Sequence, residues 1–217
     1  MISFKNVSKQ FPGGHSVLRN IDFTIAAGEM VFVTGHSGAG KSTLLKLIAA
    51  IERPTSGSIS ISGQNIAQLK PSTLPFLRRK IGFVFQDHKL LFDRSVFDNV
   101  LLPLQISGFD HKLVTGRVNA ALDKVGLLKK SKAFPITLSG GERQRLCIAR
   151  AVVHRPTILI ADEPTGNLDA AYAKDIMDMF RSFHQVGVTI LIATHDAALL
   201  EKNEHRILQL DQGQIAA

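Results

Sequence analysis

The chain has 217 residues, of which 45% are hydrophobic and 20% are charged, and its formal net charge is +8. This composition is typical of a folded domain and excludes intrinsic disorder. The single cysteine, Cys147, excludes an internal disulfide, favours a reducing compartment and is expected to be a small buried residue. We find no secretory signal and no apolar run long enough to cross a bilayer, so we expect the chain to reach a membrane only through a partner.

Apolar periodicity and turn residues divide the chain into short strands and helices. The predicted strands lie at residues 2–7, 17–25, 30–34, 58–62, 157–161, 188–193, 206–210 and 214–216. The predicted helices begin after residue 41 and at 170–186 and 196–202, with further helical segments between about 86 and 151. Buried strands that alternate with helices indicate an α/β protein with a mostly parallel, doubly wound sheet.

A glycine-rich loop follows the strand at 30–34 and opens a helix. It matches the phosphate-binding pattern G-x-x-x-x-G-K-[ST] in the structural context that this pattern requires. Glycines let consecutive N–H groups point at phosphates, and the helix N-terminus adds its positive end. Lys41 would reach the β- and γ-phosphates, while the Ser42 hydroxyl would bind Mg²⁺. The predicted ATP-binding residues of this loop are Gly35, His36, Ser37, Gly38, Ala39, Gly40, Lys41, Ser42 and Thr43.

Two carboxylates end the apolar strand at 157–161. Asp162 and Glu163 should lie at the edge of the sheet beside the phosphate loop, because ligand sites of α/β proteins form at the carboxyl ends of strands. Asp162 suits the Mg²⁺ shell, directly or through water, and Glu163 can polarise the attacking water. Without the phosphate loop, this acidic pair would indicate only a polar strand end.

The third motif is the run LSGGE at residues 138–142. Ser139 and Glu142 fit the capping box of a helix that begins there. Gly140 and Gly141 directly after the cap lower the helix propensity, which is understandable if a phosphate must approach the backbone closely. The motif therefore predicts both a helix start and a phosphate contact.

The order of these motifs along the chain resembles that of ABC-type ATPases over essentially the whole length. The resemblance implies an ABC nucleotide-binding domain, with a P-loop parallel-sheet core, an N-terminal antiparallel β subdomain and an inserted α-helical subdomain. It implies a single domain, 1–217, in which 1–86 and 152–217 form the core with the β subdomain and 87–151 form the helical subdomain. It also implies that Ser139, Gly140 and Gly141 of one subunit complete the ATP site of another, in an ATP-dependent homodimer.

The resemblance assigns roles to further residues. Phe11 resembles the aromatic residue that stacks on adenine, although a partly buried strand phenylalanine is the alternative. Gln86 resembles the glutamine that senses Mg²⁺ and water, and His195 the switch histidine that contacts the γ-phosphate. The segment 167–169, Asn-Leu-Asp, resembles the loop that communicates across the dimer, where the family more often has Ser-Ala-Leu-Asp. The predicted catalytic residues are Glu163, His195 and Gln86, and the predicted Mg²⁺ ligands are Ser42, Gln86 and Asp162.

The run DEPTGNLD at 162–169 resembles the branch of lipoprotein-release, macrolide-export and cell-division ATPases, and several shorter segments look most like the cell-division members. That resemblance implies a peripheral protein at the cytoplasmic face of the inner membrane, at the division septum. It implies an integral membrane partner resembling FtsX, through which ATP-driven change controls peptidoglycan hydrolases within the division machinery. Residues 86–104 would form the groove for this partner, although their apolar side chains could equally pack the helical subdomain.

Two alternatives remain at this stage. One is the energy subunit of a lipoprotein-release or macrolide-type exporter, and the other is an ATP-dependent scaffold or switch in which turnover matters less. The lysines and arginines are scattered without a basic arm, so we expect no nucleic-acid partner. A DNA-management ATPase of the same superfamily is less consistent with the sequence, since the long coiled-coil insertion of such proteins is missing.

Overall fold

The computed structural model describes residues 1–166, 168–201 and 204–216. Its strands are β1 (Ile2–Gln10), β2 (Ser16–Ile25), β3 (Met30–Thr34), β4 (Ser56–Ile61), β5 (Gln64–Asn65), β6 (Ile81–Val84), β7 (Ile158–Asp162), β8 (Thr189–Ala193), β9 (Arg206–Asp211) and β10 (Gln214–Ile215). Its helices are α1 (Lys41–Ile48), α2 (Leu74–Arg78), α3 (Val96–Ile106), α4 (His111–Lys124), α5 (Gly140–Val152), α6 (Ala170–Gln185) and α7 (Ala197–Glu201).

The smaller sheet is antiparallel and has the strand order β2-β1-β4-β5. In β1 the apolar residues at alternating positions are buried, and Ile2 lies opposite Ile25 on one side and Ile61 on the other. The rings of Phe4 and Phe23 stack across β1 and β2 with centroids 4.5 Å apart. Such cross-strand pairs stabilise the sheet, which packs on the core as one lobe.

The larger sheet has the order β10-β9-β3-β8-β7-β6. The pairings from β9 through β6 are parallel, and only the β9–β10 hairpin is antiparallel. Parallel strands place their carboxyl ends at one edge of the sheet. The loops that follow β3, β6, β7 and β8 therefore meet at the same edge.

Both faces of this larger sheet are buried. In β3, Val31 and Val33 contribute to the core that contains α1 and the antiparallel sheet. Met30 and Phe32 point to the opposite face, where the core is built with α3 to α6. Strands covered on both faces are continuous apolar runs, which explains the uniformly hydrophobic sequences of β3, β7 and β8.

The helices between β6 and β7 share a core with the sheet. Leu146 and Cys147 of α5 are fully buried in the same cluster as Leu159 of β7 and Val100 of α3. The expected burial of Cys147 is confirmed, and desolvation raises the pKa of its thiol to about 12. The predicted α/β class is confirmed as well. The sequence did not predict α2, β5 or β6, although β6 is an edge strand of the larger sheet. Lys202, at the end of the predicted helix 196–202, lies outside the described residues.

Candidate nucleotide-binding site

The phosphate loop lies between β3 and α1, at the carboxyl edge of the larger sheet. Gly40 caps α1 with a left-handed φ of 107°, and its helix has no side-chain cap hydrogen bond and no acidic residue in its first turn. At Gly35, with φ of 148°, an added Cβ would lie 2.2 Å from the carbonyl oxygen of Leu210. First-turn N–H groups without a side-chain acceptor, together with the helix dipole, form an anion-binding site.

The ammonium group of Lys41 is held inside this loop. It donates a hydrogen bond of 2.7 Å to the carbonyl oxygen of Gly35, and it lies 3.6 Å from Oε1 of Glu163. Both charged side chains are only 9% exposed. A phosphate that enters the loop therefore meets a cation whose position is already fixed.

Asp162, the last residue of β7, is buried next to Ser42. It is 5% exposed, and the two side chains share a hydrogen bond. Burial, the largest effect, raises the pKa of the Asp162 carboxyl, and its Oδ1 atom has no hydrogen-bond partner among the described residues. A buried oxygen without a partner is what a cation would satisfy. Mg²⁺ needs few protein ligands when phosphates supply the others, so one carboxylate and one hydroxyl fit it.

Glu163 follows in a left-handed conformation, with φ of 50°. Its N–H donates to the carbonyl oxygen of Ala193 at the end of β8, over 2.9 Å. Its carboxylate oxygen Oε2 lies 2.9 Å from Nδ1 of His195. Non-glycine residues with positive φ are held by their surroundings and cluster at functional sites. The adjacent strands β7 and β8 thus bring together the carboxylate of Glu163, a residue with a strained backbone, and the ring of His195.

Lys41, Ser42, Glu163 and His195 line one cavity of about 580 Å³. This volume lies in the range of ligand pockets. Asp162 hydrogen-bonds Ser42 but does not itself line this cavity. Most of the predicted site residues line this cavity, but Gly35 does not. Those that do are His36, Ser37, Gly38, Ala39, Gly40, Lys41, Ser42, Thr43, Gln86, Glu163 and His195. Carboxyl-end loops of β3, β6, β7 and β8 therefore contribute to a single site.

The turn between β1 and β2 forms the remaining wall. His15 and Val17 line the cavity, and neither was predicted from the sequence. Phe11 does not line it, although its N–H donates to the carbonyl oxygen of His15 over 3.0 Å. The ammonium of Lys9 lies 4.7 Å from the centre of the Phe11 ring. Adenine stacking by Phe11 therefore stays a prediction, and no sequence signal distinguished His15.

The LSGGE motif at residues 138–142, called the signature, lies at the start of α5 and outside this cavity. Ser139 caps α5 through the predicted capping box with Glu142, but Ser139, Gly140 and Gly141 do not line the cavity of the same chain. An added Cβ at Gly140 would meet no atom of the described residues within 4 Å, so packing against them does not require a glycine there. Asp169 caps α6, whereas Asn167 of the predicted communication loop lies outside the described residues.

A second cavity, of about 470 Å³, lies between α2, β6, α3 and the end of α5, and is called the α3 groove below. Leu102, Pro103 and the 69% exposed Ile106 form its apolar wall. Its charged lining residues are Arg78, Arg79, Lys89 and Arg150, and none of the carboxylates that the structure describes lines it. Within the predicted segment 86–104, Val96, Val100 and Leu104 are buried in the core, whereas Lys89, Leu102 and Pro103 line the α3 groove.

This architecture is that of the ATP-binding cassette ATPases. The chain belongs to the ABC transporter family, whose sequence profile matches residues 18–166. Its relatives include the cell division ATP-binding protein FtsE of Escherichia coli (strain K12), which is 56% identical over 215 residues, or 99% of this chain and 97% of that protein. FtsE of Bacillus subtilis (strain 168) is 43% identical over 98% of this chain and 93% of that protein. The predicted resemblance to cell-division ATPases is thereby confirmed.

Comparison with solved structures identifies the same class of protein, the ATP-binding cassettes. The ATP-binding cassette MJ0796, seen as a dimer in a post-hydrolysis state with ADP and Pi, is 34% identical and superposes with a TM-score of 0.92. That alignment covers 100% of this chain and 97% of the other. The predicted fold class and ATPase activity are confirmed: this chain is an ABC-type ATPase. Among the described residues, no helix combines the length and apolarity needed to cross a membrane.

Proposed function

We propose that two copies of this chain close around two Mg²⁺-bound ATP molecules and reopen after hydrolysis to drive an integral membrane partner. That partner would resemble FtsX and control septal peptidoglycan hydrolysis in bacterial cell division. The proposal is supported by the site geometry, by the FtsE relatives and by the dimeric cassette of similar structure. Closing and opening on nucleotide is one of the standard ways in which a ligand performs mechanical work.

The residues around the cavity suit separate roles in this reaction. Lys41 and the loop N–H groups would bind the phosphates, and Ser42, Gln86 and Asp162 would hold Mg²⁺. When bound, the Mg²⁺ ion neutralises charge on the phosphate oxygens. Glu163 would accept a proton from the attacking water. His195, whose Nδ1 lies 2.9 Å from Oε2 of Glu163, would orient that carboxylate and contact the γ-phosphate.

The proposed dimer is supported mainly by one observation. Ser139, Gly140 and Gly141 are predicted to complete an ATP site, but they lie outside the nucleotide cavity of their own chain. Gly140 is exposed, and an added Cβ there would meet no atom of the described residues within 4 Å, so a ligand held by a second copy can approach its backbone closely. A single copy therefore presents two half-sites, and a second copy can supply the missing half of each.

The α3 groove is the proposed docking surface for the membrane partner. It combines an apolar wall with four cationic residues, which suits an amphipathic segment that carries acidic side chains. Phe85, which lines the groove, directly precedes Gln86, which lines the nucleotide cavity. A partner in the groove would thus contact the segment that reaches the ATP site, and would hold the chain at the cytoplasmic face of the inner membrane.

The test is complementation in E. coli cells that lack their own FtsE. We expect the wild-type chain to restore septation to filamentous cells, and the Glu163→Gln variant to fail. Restored septation by Glu163→Gln would favour a scaffold. Failure of the wild-type chain to restore septation, together with rescue of export in cells that lack a lipoprotein-release ATPase, would favour an exporter subunit.

Docking is tested by co-purification with the co-expressed FtsX-like protein. Ile106→Glu places a carboxylate on the apolar wall of the α3 groove, so we expect it to lose the partner. Val186→Glu is the matched control, because Val186 is 77% exposed and lies outside that groove. Equal retention of the partner by both variants would contradict docking in the α3 groove.

A further inference from the structure

Three side chains on one face of α5 contact the segment that follows Gln86. Gln144, Cys147 and Arg150 are spaced three residues apart, and side chains at this spacing lie on one side of a helix. We call these three residues the α5 stripe. All of them contact His88, which lies two residues after Gln86.

The contacts of the α5 stripe are specific. Arg150 donates from Nη1 to the carbonyl oxygen of Lys89 over 2.6 Å, and from Nη2 to the carbonyl oxygen of His88. The Cys147 thiol lies 3.4 Å from the same His88 oxygen, and the Gln144 side chain hydrogen-bonds the His88 ring. The planar guanidinium is suited to binding two acceptors at once, which a lysine cannot do in this geometry.

The segment held in this way is conformationally unusual. His88 and Lys89 are consecutive non-glycine residues with left-handed φ values of 61° and 47°. The N–H of His88 donates to the carbonyl oxygen of Phe85 over 3.1 Å, which closes a turn around Gln86. Such a backbone persists only where the surroundings fix it. The α5 stripe supplies that restraint from one side.

The other side of the segment is fixed by α3. Asn99 is fully buried, and its side chain exchanges two hydrogen bonds of 2.9 Å with the backbone N–H and carbonyl of Leu91. Gln86 is therefore carried on a short segment that is anchored to α5 at one point and to α3 at another.

The environment of Arg150 shows that this anchor is not a simple ion pair. Burial lowers the pKa of its guanidinium, and it forms no ion pair with a carboxylate of the described residues. Burying an arginine without a counter-charge opposes folding. In return, the Arg150 guanidinium forms two hydrogen bonds to the carbonyl oxygens of His88 and Lys89, whose backbone is strained. This indicates that Arg150 fixes the position of the segment rather than stabilising the fold.

We propose that Arg150 is a positioning residue for Gln86, and that α5 is the rigid link between the signature, the nucleotide site and the α3 groove. The helix begins at the Ser139 cap, and near its other end Arg150 both lines the groove and holds the segment that carries Gln86. A change at either end of α5 is transmitted to Gln86 through the α5 stripe. This inference rests on the proposed role of Gln86 in hydrolysis.

The first experiment is a double-mutant cycle in the full chain, without a membrane partner. Gln86→Ala, Arg150→Met and the double variant are compared for kcat and for ATP affinity. A positioning error of about 1 Å can lower a rate by about 100-fold, so we expect each single variant to lose about 10- to 100-fold in kcat. If Arg150 acts through Gln86, the double variant equals Gln86→Ala, and the ATP affinity of Arg150→Met stays near that of the wild type.

Arg117→Met is the matched control, because Arg117 is also an arginine with a desolvated guanidinium that donates to a backbone carbonyl, that of Val153, over 3.0 Å. Arg117 lies outside the nucleotide cavity and the α3 groove, so the kcat of the Arg117→Met variant should remain within about twofold of the wild type. Arg150→Lys should recover part of the loss, since it can bind one carbonyl. Losses that multiply in the double variant, or an equal loss in Arg117→Met, would overturn the inference.

Hydrogen exchange of residues 86–91 provides a readout that does not need turnover. We expect Arg150→Lys and Cys147→Ala, which change the α5 stripe least, to speed exchange in this segment while exchange in β3 stays unchanged. Unchanged exchange at 86–91 in both variants would refute the positioning role. An inactive wild type would instead refute the proposed hydrolysis, and the exchange result would still decide the role of Arg150.

Discussion

Glu163 and His195 approach to 2.9 Å between Oε2 and Nδ1, although 32 positions separate them in the chain. The other carboxylate oxygen of Glu163 lies 3.6 Å from the Lys41 ammonium. One carboxylate therefore links the histidine after β8 to the lysine of the phosphate loop. Removing its charge while keeping its shape is the most direct test of the site.

We expect Glu163→Gln to bind ATP and to lose hydrolysis. The amide can still accept a hydrogen bond but cannot take a proton from water, so kcat should fall by about 100-fold or more. ATP-bound dimers should accumulate, because closure no longer ends in hydrolysis. Phosphate release and light scattering after size-exclusion chromatography measure the two effects. Normal turnover, or a monomer at saturating ATP, would contradict the role of Glu163.

Asp162→Asn should separate stability from function. Burial raises the pKa of the Asp162 carboxyl above its ordinary 3.8, so at neutral pH the folded chain holds a charge that the unfolded chain holds more favourably. Without nucleotide, the variant should gain about 1 kcal/mol in the free energy of unfolding, or about 2–4 °C in Tm. The gain should disappear below pH 3.8, where both states carry a neutral carboxyl.

The same variant should need more Mg²⁺ for ATP hydrolysis. An amide is a weaker ligand than a carboxylate, so we expect the apparent Mg²⁺ affinity to fall by about 10- to 100-fold. Thermal melts without nucleotide and Mg²⁺ titrations of turnover check the two outcomes independently. A lower Tm together with unchanged Mg²⁺ dependence would contradict both arguments.

Gly140→Asp tests the signature without touching the cavity of its own chain. A Cβ at Gly140 meets open space, and a carboxylate in the first turn of α5 favours the helix, so the monomer should fold and bind ATP normally. The new charge would face the phosphates of a second copy. We expect dimer affinity in the presence of ATP to fall by at least about 100-fold, measured by sedimentation, because like charges oppose contact.

Gly140→Ala is the control for this prediction, since it adds a methyl group and no charge. It should weaken the ATP-dependent dimer less than Gly140→Asp does. An Asp variant that dimerises as well as the wild type would mean that the signature does not meet ATP.

Gly35→Ala should destabilise the fold itself. Its φ of 148° disfavours a side chain, and the added Cβ would lie 2.2 Å from the carbonyl oxygen of Leu210 in β9. We expect a loss of about 2 kcal/mol or more in the free energy of unfolding, measured by urea denaturation. Gly13→Ala shares a positive φ, of 94°, but meets no atom within 4 Å, so it should lose clearly less. Equal losses would show that φ alone, rather than contact with β9, makes glycine necessary.

Much of the site could be predicted because its chemistry is encoded in short, contiguous segments. The phosphate loop needs glycines, a lysine and a serine at fixed spacing, and the capping box of Ser139 and Glu142 is equally local. The doubly wound sheet followed from apolar runs, since strands buried on both faces cannot tolerate polar residues. Weaker local signals were missed: α2 has only five residues, with a proline in its first turn, too few for a helical period to be visible.

Other features depend on contacts between distant segments. β8 follows β7 in the chain but pairs between β3 and β7, and this order decides that His195 meets Glu163. His15 reaches the cavity because the β1–β2 turn packs beside it. Phe11, predicted from the resemblance, does not line the cavity and its ring centre lies 4.7 Å from the Lys9 ammonium, so its stacking on adenine stays a prediction. The strained turn at His88 and Lys89 also has no signature in the sequence, because Arg150, which donates a hydrogen bond to the Lys89 carbonyl, lies 61 residues further along the chain.

The phosphate loop is thus determined by sequence alone, since hydrogen-bonding N–H groups, a helix N-terminus and a lysine are all placed by local backbone geometry. Strand order, the burial of Asp162 and the α5 stripe were decided only by the tertiary structure. Those features arise from nonlocal pairing and packing, whose energies depend on which surfaces meet and not on the spacing of residues along the chain.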